Sequence, residues 1–232
     1  MWDYFHEVLK SNGYSHFDIL INCAGIAPLA TLSETNEDLY REVFSINLDA
    51  TFFLIQSASP YIRDGGRIIN LSSTLTRIAA PTRAIYAASK GAINALTLAL
   101  APEYGARNIT VNAIAPGVVD TDMNAGWLND KDARNQAESL SFFNRVGTPN
   151  DVASLVSLFE GIPFCSNSAT LITALRFYME NTILPITIFT AKFDTNGATI
   201  AGKCCLRVVA FLCYSRLCAM LFSSNFHDLK GA

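Results

Sequence analysis

Charge is scarce in this chain. Only 16% of its 232 residues are Asp, Glu, Lys or Arg, 50% are hydrophobic, and no two basic residues adjoin. That excludes the compositions of disordered and of nucleic-acid-binding chains. Histidine is nearly absent, with His6, His16 and His227 scattered along the chain. The cysteines are Cys23 and then Cys165, Cys204, Cys205, Cys213 and Cys218. None of these stands at zinc-ligand spacing, so no metal site is expected. An apolar amino-terminal leader is also missing, since Trp2 to Ser11 mixes Asp3, His6, Glu7 and Lys10 with its apolar residues. A cytoplasmic location is the default expectation. Composition changes along the chain: up to Pro163 there are 17 acidic and 11 basic residues, beyond it 3 and 6. The chain is therefore read as one domain over residues 1–160 and a different tail over 161–232.

What is present is alternation. Short apolar runs at Asp18–Asn22, Arg67–Leu71 and Ile109–Ala115 read as strands. Stretches between them carry helical periodicity. Trp2, Phe5, Val8 and Leu9 share one face of a short helix closed by Asn12-Gly13. Thr35-Asn36-Glu37-Asp38 opens a longer helix that continues past Asn47 to a break at Pro60. Another helix runs from Tyr86 to about Tyr104, with Pro102 expected to kink it or end it early. The Asp120–Val146 segment reads as irregular. Thr148-Pro149-Asn150-Asp151 has the cap, proline and early acid of a helix start. Strands apolar throughout, alternating with helices, predict an α/β fold with a parallel sheet covered on both faces.

Chemistry concentrates around three residues. Ser73 ends the second strand, Tyr86 follows thirteen positions later, and Lys90 lies four residues beyond Tyr86 on the same helical face. A phenol beside a fixed ammonium is favoured as its anion, so Lys90 is expected to lower the Tyr86 pKa toward the range of an acid–base catalyst. A hydroxyl at the neighbouring strand end holds the oxygen that exchanges the proton. Ser72 rivals Ser73 for that place.

These residues have company: Asn22-Cys23-Ala24-Gly25 after the first strand, Asn47 in the first long helix, and Pro116-Gly117-Val118 with Thr121 after the third strand. From about Phe17 to about Phe159 the set resembles the short-chain dehydrogenase/reductase superfamily, nearest in flavour to 3-oxoacyl-acyl-carrier-protein reductases. The resemblance implies an NAD(P)-dependent oxidoreductase that interconverts a ketone or aldehyde and an alcohol. It implies Tyr86 as general acid or base and Lys90 as its partner and ligand of the nicotinamide ribose. Ser73 holds the substrate oxygen, and Asn47 keeps a relay water in place. Asn22, Ala24 and Gly25 would line the adenosine side. Pro116, Gly117 and Val118 would border the nicotinamide, with Thr121 near the phosphates. Asn47, Tyr86 and Lys90 also count among the cofactor contacts. The partners implied are a small carbonyl or alcohol and a second copy of the chain, as a dimer or tetramer, through the helices around Ala50–Tyr61 and Ala87–Leu100. Arg77 and Arg83 flank the catalytic loop and read as solvated, with Arg83 able to meet a carboxylate.

The same comparison exposes gaps. No Gly-x-x-x-Gly-x-Gly precedes Asn22, so the turn and helix that receive a pyrophosphate are missing, with the family's first strands. The resemblance is thus to a partial doubly wound sheet, and NAD cannot be told from NADP. A competing expectation is a catalytically inactive truncated fragment, an interaction piece or a misassembled coding segment. The Asp18–Asn22 strand would be left as an unprotected edge, with marginal stability favoured over coverage by the tail. In the tail, Ile183 to Phe193 reads at best as an edge strand because of Pro185. Cys204–Phe222 has the length of a bilayer span, but Arg207 and Arg216, each costing about 2.5–3.5 kcal/mol at the bilayer centre, weigh against one.

Overall fold

Five parallel strands form one sheet in the order β4-β3-β2-β1-β5. The structure is a computed structural model and describes residues 7, 9–11, 13–161, 170–171 and 209–212. Its strands are β1 (Phe17–Asn22), β2 (Ile62–Leu71), β3 (Thr110–Ile114), β4 (Thr170–Leu171) and β5 (Val209–Leu212). The helices are α1 (Glu37–Phe44), α2 (Ala50–Ala58), α3 (Ala84–Gly105), α4 (Asp122–Leu128), α5 (Lys131–Ser139) and α6 (Pro149–Gly161).

Alternation along the strands divides the core in two. Phe17, Leu20, Ile68 and Val111 point to the face where Ile55 of α2 and Ala101 and Tyr104 of α3 close over them. Ile19, Ile21, Ile69, Leu71 and Ile114 point to the other face, against Val152 and Val156 of α6. Both faces of β1 to β3 are therefore dry, as all-apolar parallel strands require. The tight entry into the sheet is made by Gly65 at φ +81° and by Gly66, where a Cβ would stand 2.7 Å from the Asp18 carbonyl oxygen.

Helix starts follow the chemistry of their caps. Asn36 accepts from the Leu39 amide at 2.8 Å to open α1. Thr148 and Asp151 exchange bonds at the start of α6, amide to carboxylate at 2.7 Å and amide to hydroxyl at 3.3 Å. Between α1 and α2 the helix widens into a π turn over Ser45–Asp49, and α2 gives way to a short 3₁₀ turn at Pro60.

Several expectations are corrected. The β1 edge is not open: Ile19, Leu20, Ile21 and Asn22 pair in parallel with Val209, Ala210, Phe211 and Leu212 on one side and with β2 on the other. A short tail segment thus supplies the backbone partners that an edge strand lacks. Pro102 does not end its helix early, because α3 continues to Gly105. The segment read as irregular contains α4 and α5. Asp130 caps α5 by accepting from the Ala133 amide at 2.8 Å, and only Ala137 of that helix is buried, so little apolar periodicity marked it. Trp2, Phe5 and Val8, the Ile183–Phe193 run, and Cys204–Phe222 apart from β5 lie outside the described residues. Among the described helices α3 is long and apolar enough to cross a membrane, yet it packs on β3 as the central helix of the core.

Candidate active site

The carboxyl ends of β1, β2 and β3 open into one cavity of about 530 Å³. Its floor is tied together by buried asparagines. Asn22 at the end of β1 donates to Asn70 at the end of β2 (2.8 Å), and Asn70 donates to Thr97 of α3 (3.0 Å). Asn22 is 3% exposed and faces this chain of bonds, so it does not line the cavity, and neither does Ala24. Of the three residues expected beside a cofactor, Gly25 reaches the cavity wall, while Asn22 and Ala24 lie behind it.

Asn47 is fully buried in the π turn and does not line the cavity either. Its Oδ1 accepts from the Ile26 amide (2.8 Å), while its Nδ2 donates to the Ile26 carbonyl (3.0 Å) and to the Ser89 hydroxyl (2.9 Å). One side chain thereby fixes the β1 loop to α3. The widened turn explains how a polar side chain in a helix can face inward with all its bonds made. A Cβ on Gly25 would meet Lys90 Nζ at 3.3 Å and Asn47 Oδ1 at 3.4 Å. A larger residue here would require Lys90 or Asn47 to give way by a few tenths of an ångström.

Ser72 and Ser73 have different commitments. The Ser72 hydroxyl donates to the Lys90 carbonyl at 3.3 Å and is used in joining β2 to α3. Ser73 Oγ accepts from the Leu75 amide at 3.2 Å, and Ser73 and Tyr86 both line the cavity. Lys90, 3% exposed, donates to the Leu71 carbonyl at 2.8 Å and lies 5.9 Å from the centre of the Tyr86 ring. Its three protons leave two for a group entering the cavity.

The electrostatics differ from the sequence expectation. Burial pushes the Tyr86 phenol above its ordinary value, and what opposes the rise is the Ser73 hydroxyl and the charge of Arg83. Lys90 is itself pulled down to about 8 by burial, with the nearby Cys23 acting the other way. A lysine held this way is a weak stabiliser of phenolate, so the expected lowering of Tyr86 by Lys90 is not found. Tyr86 in this state is a protonated acid at neutral pH.

Pro116, Gly117, Val118 and Thr121 stand together along the β3 side of the cavity. Thr74 holds this loop by bonds from its amide (3.1 Å) and hydroxyl (3.3 Å) to the Pro116 carbonyl. The opposite wall is apolar, made by Leu75, Ile78, Pro81, Met123, Trp127 and Leu140. Sequence reasoning passed over Met123, Trp127 and Leu140, which lay in the segment read as loop. Arg77 is exposed and outside the cavity, whereas Arg83 is part-buried and lines it. Both read as solvated from the sequence, with Arg83 singled out as able to meet a carboxylate. Among the described residues no three His, Cys, Asp or Glu side chains gather as a metal site would need.

A nicotinamide dinucleotide fits what is here at its ribose and nicotinamide end. The Gly25 cradle, which a Cβ would crowd against Lys90, leaves room beside an ammonium with free donors. The small residues Pro116, Gly117 and Val118 form the facing side.

Residues 4–181 match the family model described as enoyl-(acyl carrier protein) reductase. Versicolorin reductase stcU of Emericella nidulans is 37% identical over 155 residues, covering 62% of this chain and 59% of that protein. Short-chain dehydrogenase/reductase FrzI of a Cladobotryum species is 35% identical over 168 residues, with 67% and 63% covered. The chain thus spans about three-fifths of the length of these curated relatives. Among solved structures, the angucycline C-6 ketoreductase LanV with bound NADP superposes at a TM-score of 0.65 with 34% identity, covering 68% of this chain and 61% of that one. A blue fluorescent protein from a metagenomic library, in complex with NADPH, gives 0.67 and 32%, covering 74% and 68%.

Proposed function

The chain belongs to the short-chain dehydrogenase/reductase superfamily, and from that membership we propose that it is a nicotinamide-dependent oxidoreductase interconverting a ketone or aldehyde and the corresponding alcohol. The observation that carries the reading is that Ser73, Tyr86 and Lys90 line one cavity, with Lys90 one helical turn from Tyr86 and its ammonium 5.9 Å from the Tyr86 ring centre. In reduction the carbonyl oxygen takes the place between the two hydroxyls. Ser73 donates a hydrogen bond to it, and Tyr86 transfers its proton as negative charge builds on the oxygen. Lys90 holds a ribose hydroxyl with its remaining donors and passes a proton back to Tyr86 afterwards. Asn47 acts by holding Ile26 and α3 in register, and a relay water beside it is part of the proposal. A bound nicotinamide dinucleotide supplies or accepts the hydride.

We assign a fused aromatic or polyketide-like ketone as substrate, because relatives are named for versicolorin, hydroxynaphthalene and angucycline chemistry. A volume of about 530 Å³ walled by Trp127, Leu140 and Pro81 suits such a ring system. NADP is the first cofactor to test, since neighbours carry it. The setting we assign is the cytosol, where the Cys23 thiol stays reduced. Two copies would pair through α2 and α3, where Phe52, Phe53 and Leu98 are 42%, 58% and 52% exposed. The likenesses to reductases do not favour the inactive-fragment reading.

The test is a titration of the chain with NADPH and NADH, read by energy transfer from Trp127, followed by 1-tetralone while absorbance at 340 nm is recorded. Binding of either cofactor with ketone-dependent loss of absorbance is the expected result. Binding of neither at millimolar concentration overturns the reading.

A further inference from the structure

The cavity is lined by two cations and no carboxylate among the described residues. Lys90 is accounted for by the chemistry above. Arg83 is not. Its guanidinium is part-buried, its Nη1 donates to the Ala27 carbonyl, and no carboxylate pairs with it among the described residues. Most of its five N–H donors remain unused, and burial disfavours its charge. Its place in the fold adds to the mismatch. Arg83 is the N-cap residue of α3, a 22-residue helix with no acidic residue in its first turn and no side-chain cap. A cation there opposes the positive end of the helix dipole. A part-buried arginine at the wrong end of a helix, facing a cavity with a second cation and no carboxylate among the described lining residues, is electrostatically incomplete until an anion joins it.

We propose that Arg83 is a specificity-determining residue that binds an acid group on the carbonyl substrate, so that the ligand is an anionic small molecule: a carboxylate-bearing or acidic phenolic ketone. This rests on the oxidoreductase reading for the identity of the ligand as a ketone. The charge preference rests on the cavity itself. Because Arg83 and Tyr86 both line the cavity at the start of α3, an acid group seated on Arg83 is directed toward the same end of the cavity as the reacting carbonyl. The fork of the guanidinium suits a carboxylate in two-point contact, which a lysine at this position would not reproduce.

The test compares 4-acetylbenzoate with its neutral isostere 4-acetylbenzamide, bound in the presence of NADPH and followed by Trp127 fluorescence in a Trp2→Phe background. The expected result is roughly tenfold or greater preference for the acid, the size of one charge-assisted contact. Arg83→Gln should erase that preference while the amide binds within about twofold of its parent affinity. An unchanged preference in Arg83→Gln, or tighter binding of the amide by the parent, overturns the proposal. If Arg83→Gln loses both ligands, Arg83→Lys decides. Retained preference for the acid, weakened about threefold, supports the proposal, and loss of both ligands again contradicts it. The enzyme reading fails separately: acid preference without any NADPH oxidation leaves the anion site standing and removes the catalytic one.

Discussion

One wall of the cavity is fixed by buried hydrogen bonds and the other by a small apolar cluster. On the first, Asn47, Asn70, Ser72 and Lys90 each donate to a neighbouring element, across distances of 2.8–3.3 Å, and Thr97 accepts the bond from Asn70. On the second, α4 and α5 are held by Leu128, Ala137 and Val146, and by exposed ion pairs such as Arg134–Asp120. Phe142 and Phe143 beyond α5 are 56% and 72% exposed. Buried bonds cost about 1–3 kcal/mol each when one partner is deleted, whereas exposed ion pairs contribute roughly 0–1 kcal/mol. The difference teaches a division of labour. In the proposed reading, the elements that carry the acid–base residues are over-determined, and the side that would accommodate a carbon skeleton is left adaptable.

The largest test of this contrast is Tyr86→Phe. It removes the transferable proton while keeping the ring, and turnover should fall by about 10²–10⁴-fold with NADPH affinity unchanged. Steady-state rates alongside a binding titration check it. Asn47→Ala comes next, because it strands the Ile26 amide and carbonyl together. We expect a loss of about 2–4 kcal/mol in denaturant unfolding, far more than any α5 substitution causes.

Lys90 gives a prediction in pH. Its folded pKa of about 8 lies below the unfolded lysine value of about 10.4. The folded state therefore binds fewer protons between these values, and stability rises with pH across that window. Below about 8 the full cost of burying the charge is present. Lys90→Met should lose this slope and gain a few degrees in melting temperature at pH 7, although it abolishes activity. In the parent enzyme, reduction should decline above about pH 8 as Lys90 loses its proton.

On the adaptable wall, Trp127→Leu should change KM several-fold among aromatic ketones with kcat for the best of them nearly constant. Its thermal shift should correspond to about 1 kcal/mol or less. The smallest effect belongs to Asp151, whose carboxyl the Arg145 guanidinium holds well below the usual range. A depressed carboxylate stabilises above its unfolded pKa of about 4 and ceases to as pH falls through the folded value. Asp151→Asn should cost under about 1 kcal/mol at pH 7, discounted for its exposure, and nothing in strong acid.

The sequence made the determined wall legible and left the other dark, for a physical reason. Ser73, Tyr86 and Lys90 are tied to strand end and helical turn, so their spacing carries geometry. Asn36 and Thr148 announce their helices because capping needs those side chains. The apolar strands announce a sheet dry on both faces. In contrast, α4 and α5 bury few residues, and nothing periodic marks Met123, Trp127 and Leu140 as neighbours. β5 pairs through backbone atoms, which any residue except proline supplies in full. The direction of the Tyr86 shift was hidden because it depends on burial and on Arg83, neither of which follows from the Tyr-x-x-x-Lys spacing. The inward turn of Asn22 could be seen only once Asn70 lay beside it.

The most direct test follows deuterium. The chain is incubated with a fused aromatic ketone and NADPH carrying deuterium at both C4 positions, and the alcohol is analysed by mass spectrometry for the parent, Tyr86→Phe and Ser73→Ala. The account predicts one deuterium on the carbinol carbon of the parent's product, with yield falling at least a hundredfold in Tyr86→Phe and substantially in Ser73→Ala. Deuterated alcohol formed equally by the parent and Tyr86→Phe, or no alcohol when fluorescence shows both ligands bound, would contradict it.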